Sequence, residues 1–296
     1  MTKKKKKKLK LKKKNFTIFI ICIILIITSI TYSIKLITNT INKNNKQTEE
    51  KTNNNKTFSN IPHYIKNNET RYQKYYKINP KLSIEKVVTD VNIGLDNEYY
   101  TNDLPTKNLN TEYILVNKYN YLSENYIPNN LETISKQYAL ENMQLVNYAK
   151  DAFEEMAKAA KRENLSIIAM STYRSYEYQI NLYNKYVKLD GKEKADTYSG
   201  RAGYSEHQTG LAVDVYNGKE SYTNFEITEE FKWMQENAYK YGFILRFPKD
   251  KTKETGYDYE SWHYRYVGKD IANYIHKNKI SYEEYYVKYI QNKKND

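Results

Sequence analysis

The 296-residue chain contains one cysteine, four histidines and nine glycines. A single cysteine makes no intramolecular disulfide and no thiolate ligand set, so any metal must be held by nitrogen and oxygen. Cys22 lies in an apolar stretch behind Phe19, Ile20 and Ile21. The small residue a lipidated cysteine would want before it is missing, and Cys22 reads as a lipid-facing apolar residue. The first fourteen residues hold ten lysines and no acid. Of the formal net charge of +13, that block accounts for ten and leaves +3 for the rest. A nucleic-acid domain would show a basic patch on its folded part, so no nucleic-acid partner is expected. No internal repeat is present.

What the chain does contain divides it. Residues 1–15 form a lysine-rich tail expected in the cytoplasm by the positive-inside rule. Residues 16–34 are free of charge and rich in Ile and Phe, long enough to span a bilayer as one transmembrane helix. A signal-peptide core would be only about 7 to 15 residues long and be followed by an A-x-A-like site. An uncleaved single-pass anchor in the cell membrane is therefore expected, with the folded part extracytoplasmic, and a cleaved signal peptide is the rival reading. Residues 35–60 are Asn, Thr and Lys with almost nothing apolar and read as a flexible linker. Residues 61–112 regain Tyr, Ile, Val and Leu as a lead-in containing a helix. The main domain is expected over 113–290.

Within it, ILVNKYNYL suggests a strand and loop. Apolar Val146, Ala149, Phe153, Met156, Ala157 and Ala160 recur at helical spacing in a helix placed over 135–163. Residues 165–170 read as a buried strand that ends at STYRS, and a helix follows Arg174. LAVDV, residues 243–247 and residues 262–267 read as further strands. Thr228 to Gly242 reads as a capped helix, and Ser281 with Glu284 as the capping box of a closing one. His63 and His276 are taken as surface residues.

Two of the four histidines fall in the fragments that carry chemistry, SGRAGYSEHQTGLAVDV at 199–215 and ESWHYR at 260–265. Asp214 sits in an apolar run, where a bare carboxylate is costly to bury unless a cation joins it. His207, Asp214 and His263 make the ligand set of a catalytic Zn2+ site with an open position. Glu260 is the spare carboxylate for general-base work, and Arg174 is a candidate to stabilise the developing oxyanion. Arg174, Gln179, Ser199 and Ser205 are the groups available to bind a substrate carboxylate. His207 and Asp214 are an odd number of residues apart, so the break at Gly210 is needed for both to face one ion. Glu260 must likewise lie in a turn before the strand carrying His263.

These residues resemble the VanY-type D-alanyl-D-alanine carboxypeptidases, zinc peptidases of bacterial cell walls. The S-x-H-x-x-G-x-A-x-D pattern is met by Ser205, His207, Gly210, Ala212 and Asp214. E-x-W-H is met by Glu260, Trp262 and His263, and Y-R-S with a downstream Gln by Tyr173, Arg174, Ser175 and Gln179. Ala202 and Thr172 depart from the family's usual proline and glycine outside the metal shell. The resemblance implies an α+β fold, with a small antiparallel sheet bearing zinc and flanked by helices. It further implies metal ligands His207, Asp214 and His263, base Glu260, and Arg174 toward the substrate carboxylate or transition state. The expected activity is removal of the C-terminal D-alanine from peptidoglycan stem peptides, by a monomer. An L,D-carboxypeptidase acting on tetrapeptide stems stays open, as does a non-catalytic wall-binding module of the same fold. Taken singly, either histidine would more often be structural, and only the constellation argues for a metal.

Overall fold

The computed structural model describes residues 28, 30–40 and 57–292. The chain divides into two units, residues 1–57 and residues 58–296. In the first, residues 30–40 form helix α1, along which the hydroxyls of Thr31, Thr38 and Thr40 donate back to the carbonyls of Thr28, Ile34 and Leu36. The lysine-rich tail, most of the expected span at 16–34 and residues 41–56 of the expected linker lie outside the described residues. The described parts of that linker are ordered rather than flexible, residues 35–40 as helix and Phe58–Asn60 as a 3-10 turn that buries Phe58. Among the described residues, no helix is long and apolar enough to cross a membrane.

The second unit begins with helices α2 (Glu69–Ile78) and α3 (Ile84–Ile93), which bury Tyr72, Tyr75, Val87, Val88 and Val91 around Phe58. Ser83 caps α3 by accepting from the Lys86 amide, and Gly94 ends it at φ 109°. His63 is not at the surface as expected: it is buried, with Nε2 2.9 Å from the Thr89 hydroxyl. The strand and loop expected over ILVNKYNYL, residues 114–122, reduce to the short β2 (Asn120–Tyr121), paired parallel with β1 (Leu104–Pro105). Asn117 interrupts the run, its side-chain oxygen accepting from the amides of Tyr119 and Asn120.

β3 (Leu131–Thr133) pairs antiparallel with β4 (Gln144–Val146), and helix α4 (Asn147–Arg162) follows. The helix thus begins at Asn147, twelve residues later than the 135 expected. The segment before it is extended: besides the β3–β4 pairing, Tyr138 and Leu140 exchange backbone hydrogen bonds with Ala169. Non-local pairing therefore overrides the local helical pattern there. On α4 the spacing of Ala149, Ala152, Phe153, Met156, Ala157 and Ala160 aligns one stripe, and all six are buried in the main core. Phe153→Ala would cost about 3–5 kcal/mol, as a large buried side chain leaves a cavity behind.

Next come β5 (Ile168–Ser171), α5 (Tyr176–Asp190), α6 (Lys192–Tyr198), β6 (Ala212–Tyr216) and α7 (Glu229–Asn237). β7 (Phe243–Leu245), α8 (Thr252–Thr255), β8 (His263–Tyr266), α9 (Lys269–Asn278) and α10 (Tyr282–Tyr289) complete the unit. Thr228 caps α7 and Ser281 caps α10 through the amides of Phe231 and Glu284. The central sheet has the order β5-β6-β8-β7, every neighbour antiparallel. Its register sets Asp214 opposite His263, with Ser171 opposite Asp214 beyond an irregularity in β5. Cross-strand partners project to the same face. Val213 and Val215, one step either side of Asp214, enter the core packed by α4.

Candidate metal centre

The site forms where β6 and β8 run side by side and the loop before β6 folds over them. Residues Glu206–Thr209 make a short 3-10 turn that ends at Gly210, in the left-handed region at φ 69°. A Cβ there would come within 2.9 Å of a Leu131 methyl and 3.0 Å of one on Val146, so the position needs glycine for both backbone and space. The turn carries His207 onto the face that Asp214 and His263 share. One ligand atom from each of these three residues lies within 4.8 Å of the others. Asp214 spans the two imidazoles, with Oδ2 3.3 Å from His207 Nε2 and Oδ1 2.9 Å from His263 Nδ1. The rings are 5.0 Å apart and nearly perpendicular. Two imidazole nitrogens and an ionised carboxylate, buried together, fit a divalent cation in chemistry and spacing.

Glu260 lies in the turn before β8, its Oε2 3.8 Å from His263 Nδ1. Arg174 follows β5, and its Nη2 donates to Asp214 Oδ2 at 2.6 Å and to the Ser171 hydroxyl at 2.7 Å. All of these groups line a cavity of about 530 Å³ together with Gln179, Ser199 and Ser205. Gln179 donates to the Gly200 carbonyl at 2.7 Å, while its buried Oε1 has no hydrogen-bond partner among the described residues. Tyr178, Leu182 and Tyr186, spaced by four along α5, give the cavity an apolar wall, with Tyr222 and Trp262 among its other lining residues. The structure thus brings every candidate residue of the sequence reading to one cavity.

Electrostatics separates the titratable groups. Burial, joined by the charge of Arg174, pushes His207 down to about 4. Burial would depress His263 too, but Asp214 and Glu206 outweigh it and lift that ring to about 9. Burial opposes ionisation of Asp214, yet His207 and Arg174 hold it well below the usual carboxylate range. Glu260 gains no comparable partner, and burial lifts it to about 8.

Sequence reasoning missed the residues behind this face. Arg246 and Arg265, almost wholly buried, meet Glu206 and Glu283 in a four-charge network. Arg246 donates to both oxygens of Glu283 on α10, at 2.5 and 2.8 Å, and from Nε to Glu206 Oε1 at 2.8 Å. Arg265 reaches the same Oε1 at 3.0 Å and the Ile114 carbonyl at 2.7 Å. A signal existed for one of them: Arg265 is two residues from His263 on a strand and so shares its face. Lys118 was also missed. It is buried, its ammonium donates to the carbonyls of Asp196 and Gly256, and burial lowers it to about 8. It thereby ties together the segments leading to Ser199 and to Glu260.

A family model described as VanY, D-alanyl-D-alanine carboxypeptidase, matches residues 142–269. The YodJ protein of Bacillus subtilis (strain 168) is 44% identical over 181 residues, 59% of this chain and 66% of its own length. A D-alanyl-D-alanine carboxypeptidase of Enterococcus faecium is 42% identical over 134 residues, 45% of this chain and 41% of its own. The matched region thus spans less than two thirds of these relatives. Among solved structures, the LdcB LD-carboxypeptidase is similar at TM-score 0.55 and 43% identity, covering 59% of this chain and 85% of that one. The D,D-pentapeptidase VanY of a VanB-type resistance cassette, in complex with Zn(II), is similar at TM-score 0.51 and 34% identity, covering 59% and 98%.

Proposed function

The chain belongs to the VanY family of D-alanyl-D-alanine carboxypeptidases, and on that premise we propose that it is a zinc-dependent D,D-carboxypeptidase removing the C-terminal D-alanine from peptidoglycan stem peptides. The observation that carries this reading is the convergence of His207, Asp214 and His263 on one face, with Glu260 beside them in a cavity large enough for a peptide end. Those three residues would hold the zinc, which when bound polarises a carbonyl and makes water a stronger nucleophile.

The remaining roles fall to the chain's own side chains. Glu260 takes a proton from the attacking water on its carboxylate and returns it to the leaving D-alanine amine. Its lifted pKa suits both halves of that exchange, since a group that holds a proton near neutral pH also gives one up there. A cation beside it favours the ionised form with which the cycle starts. Arg174 lines the same cavity and orients the terminal carboxylate or steadies the oxyanion, while the Ser171 hydroxyl fixes its guanidinium. The unpartnered Gln179 Oε1 offers an acceptor to a substrate N–H. The presence of Glu260 in the cavity argues against a merely wall-binding role.

The 43% identity to an LD-carboxypeptidase favours a second reading, the same chemistry on the terminal D-alanine of tetrapeptide stems. Mass spectrometry after digestion of pentapeptide and tetrapeptide muropeptides, with and without a chelator, separates the two. Loss of one D-alanine from the pentapeptide, abolished by chelator and restored by zinc, is the expected result. Cleavage of the tetrapeptide alone transfers the assignment to the second reading, and turnover that survives the chelator or Glu260→Gln overturns both. We further assign residues 16–34 to an anchor that holds this domain outside the cytoplasmic membrane. Release of the chain by salt alone from a membrane fraction would contradict it.

A further inference from the structure

We propose that Glu206 is the positioning residue for His263: its Oε2 accepts a hydrogen bond from His263 Nε2 and so turns Nδ1 toward the cation site. The inference rests on the metal-centre reading above. These two atoms are 3.5 Å apart, both are buried, and neither has a hydrogen-bond partner among the described residues. A buried acceptor and a buried ring nitrogen left facing each other are each costly alone and satisfied together.

The carboxylate has little freedom to turn elsewhere. Its other oxygen, Oε1, accepts from Arg246 Nε at 2.8 Å and from Arg265 Nη1 at 3.0 Å. Arg246 is in turn clamped at two points by Glu283, a residue of α10 beyond the 142–269 segment that matches the family model. The brace therefore runs from α10 through Arg246 to Glu206 and ends at the ring of His263. The other imidazole has the same arrangement in a different material. His207 Nδ1 meets the Thr172 carbonyl at 2.6 Å, which leaves Nε2 to face Asp214. An acceptor behind the far nitrogen fixes the tautomer and orientation of a ligating imidazole and strengthens it as a donor to a metal.

The test is the zinc dissociation constant of the full chain, measured by competition with a chelating dye. Glu206→Gln should raise it about 10- to 100-fold, because the amide offers a donor where the ring needs an acceptor. Glu283→Gln weakens the same charge network without touching His263. It should lower the melting temperature and weaken zinc binding by less than Glu206→Gln does, since Arg246 Nε and Arg265 Nη1 still hold Glu206 Oε1. Equal affinity of Glu206→Gln and parent overturns the proposal, as does an equal loss in both variants. Should Glu206→Gln not fold, nitrogen-15 NMR of the zinc-loaded parent decides: His263 must carry its proton on Nε2, and a proton on Nδ1 overturns it. No zinc binding by the parent would sink the metal-centre reading itself, an outcome distinct from tight binding by parent and variant alike.

Discussion

His207 and His263 stand 5.0 Å apart and face the same carboxylate, yet their surroundings drive them in opposite directions. His207 is held near 4 and His263 near 9. Burial penalises the charged form of both, so burial does not distinguish them. The difference lies behind the rings: His207 is backed by a neutral carbonyl and has the positive Arg174 in its neighbourhood, whereas His263 lies between two carboxylates, Asp214 and Glu206. One imidazole is ready to bind a cation as it stands. The other must first release a proton, which makes cation uptake at this site a proton-exchange event.

Removing either ring is the bluntest way to break the comparison. His207→Ala and His263→Ala should each weaken zinc binding by more than the roughly 100-fold expected for an outer partner, and reduce peptidase turnover to background. Retention of zinc by either variant, measured by metal analysis after dialysis, would contradict its place in the shell. A second experiment sharpens the asymmetry. Titrating zinc into metal-free chain at pH 7, calorimetrically in buffers of different ionisation enthalpy, should release at least one proton per ion. His263 and Glu260, both lifted above 7, are its sources, and none comes from His207, which is already neutral there. Zinc binding with no proton release would mean that His263 is neutral before the ion arrives.

The stability of the metal-free chain should follow the same split. His207 is depressed below its usual value of 6.5, so the folded state binds fewer protons than the unfolded one between about 4 and 6.5. Its contribution is lost as pH falls through that window. His263 is raised from 6.5 to about 9, so its contribution is complete below 6.5 and lost as pH rises through 9. Glu260, lifted from 4.5 to about 8, also loses its contribution as pH rises and so opposes His207 below 6.5. Denaturation midpoints should therefore decline as pH rises above about 6.5, and His263→Gln should flatten that alkaline limb. An alkaline limb unchanged by that substitution would remove His263 as a source of it. The smallest effect concerns Thr172. Its hydroxyl accepts from the Gln144 amide at 2.8 Å, but its backbone carbonyl is what holds His207. Thr172→Val should cost about 1–3 kcal/mol of stability through the stranded amide and leave zinc affinity unchanged. Weaker zinc binding at unchanged stability would show that the side chain, too, orients His207.

The parts of the fold legible in advance were those with a local signature. The buried stripe of α4, the caps at Thr228 and Ser281, and the glycine turn at Gly210 follow from spacing and backbone preference alone. The start of α4 was not legible, because residues 135–146 are drawn into extended pairing by partners distant in the chain. Nor was the burial of His63, Arg246 and Arg265. A charged or polar residue carries the same letter whether it is solvated or enclosed, and only the groups packed around it decide which.

By itself the sequence determined the chemical kinds available at the centre. With one cysteine and four histidines, nitrogen and carboxylate oxygen were the ligands on offer, and Glu260 was the carboxylate placed to spare. The tertiary structure alone decided how those groups are charged and aimed. The register of β6 against β8 sets Asp214 beside a histidine 49 residues away, and α10 delivers Glu283 to the brace behind it. Coulomb energies and hydrogen bonds depend on distance through space and on the water excluded between groups, and neither quantity is written in the order of residues along a chain.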